Sequence, residues 1–118
     1  MYRERMEKLK EWKVSKNRKP LIIRGARQVG KTWLMKEFGK LYYEKCAYIN
    51  FDNNSRMDIL FNEEFDLDRI IQGLKIESGI NIEPENTLII FDEIQETPKA
   101  LKTLKYFYEN ANEYHIVA

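Results

Sequence analysis

Cysteine is nearly absent from this chain, whose 118 residues carry only Cys46. A lone thiol closes no internal disulfide, and no zinc-ligand spacing surrounds it. Cys46 reads as a small core residue at the start of a strand rather than a reactive thiol. Histidine is equally scarce: His115 falls in an expected strand with no Cys or second His nearby, and is read as no metal ligand. No Ser-His-Asp set appears, and no repeat, low-complexity tract or linker. No apolar run approaches the roughly 20 residues of a membrane span. The opening Met1-Tyr2-Arg3-Glu4-Arg5 is charged and leads into no apolar stretch, so no secretory signal is expected. A free thiol and no leader fit a reducing cytoplasm, with no membrane partner.

What is present suits one soluble domain with a modest core: 43% of residues are hydrophobic and 33% charged. The formal charge of +1 conceals an asymmetry. Residues 1–40 hold 13 Lys and Arg against 4 Asp and Glu, whereas residues 41–118 hold 7 against 15. The basic leading segment either contacts nucleic acid or phosphates, or is a solvated helix face.

The chain is organised around Leu21-Ile22-Ile23-Arg24-Gly25-Ala26-Arg27-Gln28-Val29-Gly30-Lys31-Thr32. A short apolar strand, a glycine-bounded loop and Lys-Thr opening a helix make the G-x-x-x-x-G-K-[ST] phosphate loop in its required setting. Chance would produce roughly 0.004 such matches in a chain of this length, given ordinary residue usage. Gly25 and Gly30 allow a tight curl. The main-chain N–H groups of Gly25, Ala26, Arg27, Gln28, Val29, Gly30, Lys31 and Thr32 then hold a polyphosphate, with the positive end of the following helix. Lys31 is placed to reach β- and γ-phosphate oxygens, and the Thr32 hydroxyl to take one position on Mg²⁺. Arg24 and Arg27 flank the loop, touching nucleotide or pairing with surface acids.

The remaining pattern alternates strand and helix. An amphipathic helix is expected over 2–14, with Tyr2, Met6, Leu9 and Trp12 or Lys13 on one face. A basic connector ends at Pro20, and a strand covers about 21–24. The next helix runs from Gly30 or Lys31 to about 44, burying Leu34, Met35, Phe38, Leu41 and Tyr42. Gly39 within it costs helix propensity and so marks a close packing contact. Cys46–Phe51 reads as a strand, ending in turn-forming Asp52-Asn53-Asn54-Ser55. A short helix follows at 56–62. Another begins after the N-cap Asp66 and ends at Gly79. The unbroken apolar Thr87–Asp92 suits a central parallel strand covered on both faces. Thr97-Pro98 opens a helix to about 111, with Leu101, Leu104, Tyr108 and Ala111 as its core stripe. Tyr114–Ala118 reads as a fourth strand. The expected class is α/β: a P-loop NTPase with an open, mostly parallel sheet and helices on both faces. The text stops on a strand expected inside the sheet, so the chain reads as the N-terminal part of a longer protein.

Asp92-Glu93, directly after the apolar strand, makes a Walker B element. An acid at a strand's carboxyl end beside a phosphate loop holds Mg²⁺, usually through water. A second carboxylate orients and deprotonates the water that attacks the γ-phosphate, so Glu93 and Lys31 are the candidate catalytic residues, and Thr32 and Asp92 the candidate metal ligands. Small-molecule kinases need no such acid; hydrolytic NTPases do. Asn50 and Asp52, ending the second strand, either approach Glu93 and hold it away from the water, or simply initiate a turn. Gln95 senses the γ-phosphate, binds a neighbour, or only leads the helix.

The phosphate-loop segment, then Tyr48-Ile49-Asn50-Phe51-Asp52, then Leu88-Ile89-Ile90-Phe91-Asp92-Glu93-Ile94-Gln95, resemble prokaryotic AAA-family ATPases that carry a C-terminal domain of unknown function. The wordings G-A-R-Q-V-G-K-T and D-E-I-Q are far more specific than generic Walker patterns. The resemblance implies an AAA+ type core, incomplete here, with the phosphate-loop strand flanked by the fourth strand and a fifth. It implies ATP rather than GTP, and no guanine-specifying N-K-x-D occurs. It divides the chain into residues 1–19, a basic amphipathic helix and connector, and 20–118, a partial nucleotide-binding core from phosphate loop to fourth strand. A sensor residue, an arginine finger, a helical lid and the C-terminal region are expected beyond Ala118. Without an arginine finger, several powers of ten in rate are at stake.

Three functions follow. The leading one is Mg²⁺-dependent ATP hydrolysis by an AAA+ module whose nucleotide state moves a partner domain, its own missing C-terminal region. The alternatives are a nucleotide-gated switch without significant turnover, and a nucleic-acid-dependent motor. The last lacks an aromatic-interleaved basic groove. Assembly into a homo-oligomer stays open.

Overall fold

The computed structural model describes residues 2–23 and 29–118. The element order is α1 (Tyr2–Lys13), α2 (Val29–Tyr42), β1 (Lys45–Asn50), α3 (Ser55–Asn62), α4 (Leu67–Ser78), β2 (Thr87–Asp92), a single 3₁₀ turn (Ile94–Glu96), α5 (Pro98–Asn110) and β3 (His115–Val117). The strands form a parallel sheet in the order β1-β2-β3. Leu21 bridges Val117 in parallel, beyond β3. There Leu21 N–H donates to the Ile116 carbonyl at 2.9 Å and Ile23 N–H to the Ala118 carbonyl at 2.7 Å. Of the expected strand over 21–24, Leu21 forms the bridge and ladder bonds reach Ile23. It lies beside the expected fourth strand. Arg24, Gly25, Ala26, Arg27 and Gln28 lie outside the described residues.

Strand alternation sends successive side chains to opposite faces, which sorts the core into two layers. Ile49, Phe51, Ile89, Phe91 and Ile116 pack against Met57, Phe61, Ile70, Ile71 and Leu74 of α3 and α4, and Leu104 and Phe107 of α5. On the other face Leu88, Ile90 and Val117 meet Leu34, Met35 and Phe38 of α2, and Met6 and Leu9 of α1. Every β2 residue is buried, which explains its unbroken apolar run. Among the described residues the fold is a three-stranded parallel α/β core with helices on both faces, of the P-loop NTPase kind.

Local chemistry sets most boundaries. Asp66 caps α4, its side chain accepting the Arg69 N–H, and Gly79 closes the helix with φ +73°. Asn54 caps α3 through the Met57 N–H. A Cβ on Gly39 would lie 2.8 Å from Cys46 Sγ, so glycine is what lets α2 approach β1. Burial pushes the half-buried Cys46 thiol up to about 11, consistent with a packing role.

Two helical faces depart from expectation. In α2, Leu34, Met35 and Phe38 are buried but Leu41, on the rim of that stripe in the last turn, is 51% exposed. In α5 the buried positions are Ala100, Thr103, Leu104, Phe107 and Ala111, while Leu101 is 41% exposed and Tyr108 half-buried. The stripe is rotated so that Phe107 joins the core, while Lys19 sits over the half-buried Tyr108 ring. Thr97 precedes α5 as expected, yet its hydroxyl caps nothing; it donates to Asp58 Oδ1 at 2.6 Å, tying α5 to α3. Among the described residues no helix is long and apolar enough to cross a membrane.

Candidate functional site

The site lies where α2 begins beside the carboxyl ends of β1 and β2. Gly30, Lys31 and Thr32 form the first turn of α2, which holds no acidic residue. The unpaired N–H groups of a helix start favour anions. Among the described residues a Cβ on Gly30 would meet nothing within 4 Å. Lys31 and Thr32 are half-buried.

One carboxylate oxygen gathers the neighbouring elements. Thr32 Oγ1 donates to Asp92 Oδ2 at 2.8 Å, and the Tyr48 hydroxyl donates to the same oxygen at 2.6 Å. Asp92 is only 5% exposed. It ends β2, and Tyr48 stands in β1 opposite Ile90, so three elements meet at one atom. Tyr48 is held protonated as a donor. Burial raises its phenol most, followed by its bond to Asp92 and the charges of Asp92 and Glu93. Lys36, one turn along α2 from Thr32, sits 4.1 Å from the centroid of the Tyr48 ring.

Glu93 leaves the strand in a left-handed conformation, φ +57° and ψ +39°. That is uncommon for a residue with a Cβ. The 3₁₀ turn follows at once, with Glu96 N–H on the Glu93 carbonyl at 3.1 Å. It brings Gln95 Nε2 to Glu93 Oε1 at 2.5 Å. Asn50 pairs with Asp92 in register, but its Oδ1 accepts the Asp52 N–H at 2.9 Å and its carbonyl accepts Asn54 Nδ2 at 2.9 Å. This is a local Asx turn. His115 is bonded through Nδ1 to the Tyr43 hydroxyl at 2.5 Å, away from this cluster.

Thr32, Lys31, Asp92 and Glu93 are thus neighbours, and Asn50 is adjacent through the sheet. Tyr48 gave no chemical signal beyond its strand position. Its alternation with Ile49 placed it on the α2 face, and a polar-tipped aromatic there was the available clue. The oxygens of Thr32 and Asp92 are hard ligands. Among the described residues no group of three or more His, Cys, Asp or Glu could hold a metal, so the donor set does not resemble a self-sufficient metal cage. It resembles the sparse carboxylate-and-hydroxyl set that holds Mg²⁺ together with phosphate oxygens.

A family model described as AAA domain matches residues 17–118. No curated protein and no solved structure matches the chain. The match spans the bridge at Leu21, the start of α2 and the whole of β2, the segments that build the cluster at Asp92. The chain belongs to this AAA domain family, and is a nucleotide-binding module of the ATPase type.

Proposed function

We propose that the chain binds ATP with Mg²⁺ at the start of α2 and hydrolyses it, and that the nucleotide state is passed to a partner region of the same protein. The observation that carries this reading is the 2.8 Å bond from Thr32 to Asp92, which joins residues sixty apart in sequence. The loop Gly25 to Gly30 would cradle the phosphates with main-chain N–H groups, and Lys31 would neutralise the β- and γ-phosphates. Thr32 and Asp92 would hold Mg²⁺, which supplies charge neutralisation at the phosphate oxygens. Glu93 would orient the attacking water and accept its proton. The acid-free first turn of α2 supports an anion at this end. A cleft of about 610 Å³ between α3 and α5 is lined by Asp58 and Glu96 together with Lys99, a mixed lining less suited to a polyphosphate.

Turnover and binding of ATP by the wild type, Lys31→Ala and Glu93→Gln test the proposal. Lys31→Ala should lose binding; Glu93→Gln should keep binding and lose turnover by roughly 10²-fold or more, the contribution of a positioned base. If both variants behave as the wild type, the reading is wrong. Loss of turnover in Glu93→Gln with partner function kept would favour the switch over the motor.

A further inference from the structure

Asp92 carries two donors on one oxygen, and only one of them, Thr32, belongs to α2. We propose that Tyr48 is a positioning residue that fixes the Asp92 carboxylate with Oδ2 occupied. A single oxygen, Oδ1, is then presented to Mg²⁺ or its water, and the site selects Mg²⁺ over Ca²⁺. The inference rests on the ATPase reading above and adds a determinant of its metal specificity.

The register explains why a tyrosine does this and its neighbour does not. Asn50 is the β1 residue directly opposite Asp92, yet its Oδ1 turns back to accept the Asp52 N–H. Tyr48 stands two residues earlier, opposite Ile90, on the same face of the sheet as Asp92. Only a long side chain reaches a partner so offset, and the phenol spans the diagonal to place its hydroxyl 2.6 Å from Oδ2. The ring packs against the core layer under α2, and Lys36 Nζ covers it 4.1 Å from the centroid. Both contacts keep the hydroxyl on its acceptor. Thr32 gives the same oxygen a hydrogen at 2.8 Å, but its hydroxyl oxygen is itself a candidate metal ligand. Tyr48 has no second duty and is anchored in β1, so it holds Asp92 with or without nucleotide. Among the described residues Oδ1 receives no donor. Ca²⁺ takes carboxylates through one oxygen or both, whereas Mg²⁺ demands an octahedral shell and keeps several waters. Two donors on Oδ2 close the two-oxygen mode.

Partners that orient a ligating group are worth roughly 10- to 100-fold in metal affinity. With Thr32 still on Oδ2, the lower end applies. Calorimetric titration of ATP into the chain in EDTA, in Mg²⁺ and in Ca²⁺ gives three affinities, and each ion's gain is its ratio to the EDTA value. Tyr48→Phe should leave the EDTA affinity unchanged, lower the Mg²⁺ gain about tenfold and lower the Ca²⁺ gain less, so that the preference for Mg²⁺ narrows. A merely structural role would weaken all three affinities alike. A second readout needs no variant: with tyrosine ¹³C-labelled at Cζ, the Tyr48 resonance of the ATP-bound wild type should shift when Mg²⁺ is added. An unchanged Mg²⁺ gain in Tyr48→Phe, an equal loss for both ions, or a Cζ resonance indifferent to Mg²⁺ overturns the proposal while ATP binding stands. If the wild type binds ATP no better in Mg²⁺ than in EDTA, the reading of Thr32 and Asp92 as metal ligands falls, and the proposal with it.

Discussion

Replacing Tyr48 by Phe removes a single oxygen from the centre of the site and isolates its contribution. The hydroxyl donates to Asp92 Oδ2 at 2.6 Å, and Asp92 is 5% exposed, so no water readily replaces the lost donor. Hydrogen bonds to a charged group contribute about 2 kcal/mol net. Thr32 remains on the same oxygen, so the carboxylate is left half-served rather than orphaned. For 118 residues the unfolding entropy is about 0.25 kcal/mol/K, so this loss corresponds to a melting temperature lower by about 8 °C. Thermal melts of the nucleotide-free chain followed by circular dichroism give the value. Asp92→Asn and the double variant complete a cycle, and a coupling of about 1–2 kcal/mol between the two positions is expected. A melting temperature within 1 °C of the wild type, or a coupling near zero, would show that the phenol does not hold the acid.

Two further outcomes follow from packing and charge. His115 is 3% exposed, and burial pulls its pKa down to about 4, with the charges of Arg18 and Lys13 adding to the effect. Among the described residues its Nε2 meets no partner. The native ring is therefore neutral where the unfolded ring takes a proton: stability is full above about pH 6.5 and declines as pH falls toward 4, by about 2 kcal/mol after solvent screening. Urea titrations at pH 7 and pH 5 should show the decline and His115→Asn should flatten it. Glu77 and Glu83 are held below the usual carboxylate range, by Arg56 and by Asn86 respectively. Gly39→Ala places a Cβ 2.8 Å from Cys46 Sγ and 3.3 Å from Leu88 Cδ2. It should destabilise the chain by about 1–2 kcal/mol despite the gain in helix propensity, and Cys46→Ala should recover part of the loss; equal stability would refute the close contact.

What was legible in the sequence is what local chemistry encodes. Asp66 and Gly79 announced their helix because a cap and a left-handed stop act within four residues. Thr87–Asp92 announced a central strand because a doubly covered position favours the unbroken apolar run Leu88-Ile89-Ile90-Phe91 at its centre. Gly39 announced a close approach, and the approach is there. On α5 the expected Leu104 and Ala111 are buried, but Phe107 takes the place expected of Leu101 and Tyr108, because apolar and aromatic residues occupy two overlapping stripes. Thr97 looked like a cap until a carboxylate on α3 offered its hydroxyl a better acceptor. Tyr48 meets Asp92 across forty-four residues, a pairing that no periodicity records. The short Glu93–Gln95 bond depends on a left-handed turn at a residue with a Cβ, which the letters D-E-I-Q do not display.

The most direct measurement is a ¹⁵N amide map of the chain titrated with ATP, with and without Mg²⁺. Binding at the start of α2 predicts the largest shifts at Gly30, Lys31 and Thr32, with Mg²⁺ extending them to Asp92 and Tyr48, and silence along the cleft between α3 and α5. Shifts confined to that cleft, or none at all at saturating nucleotide, would contradict the account.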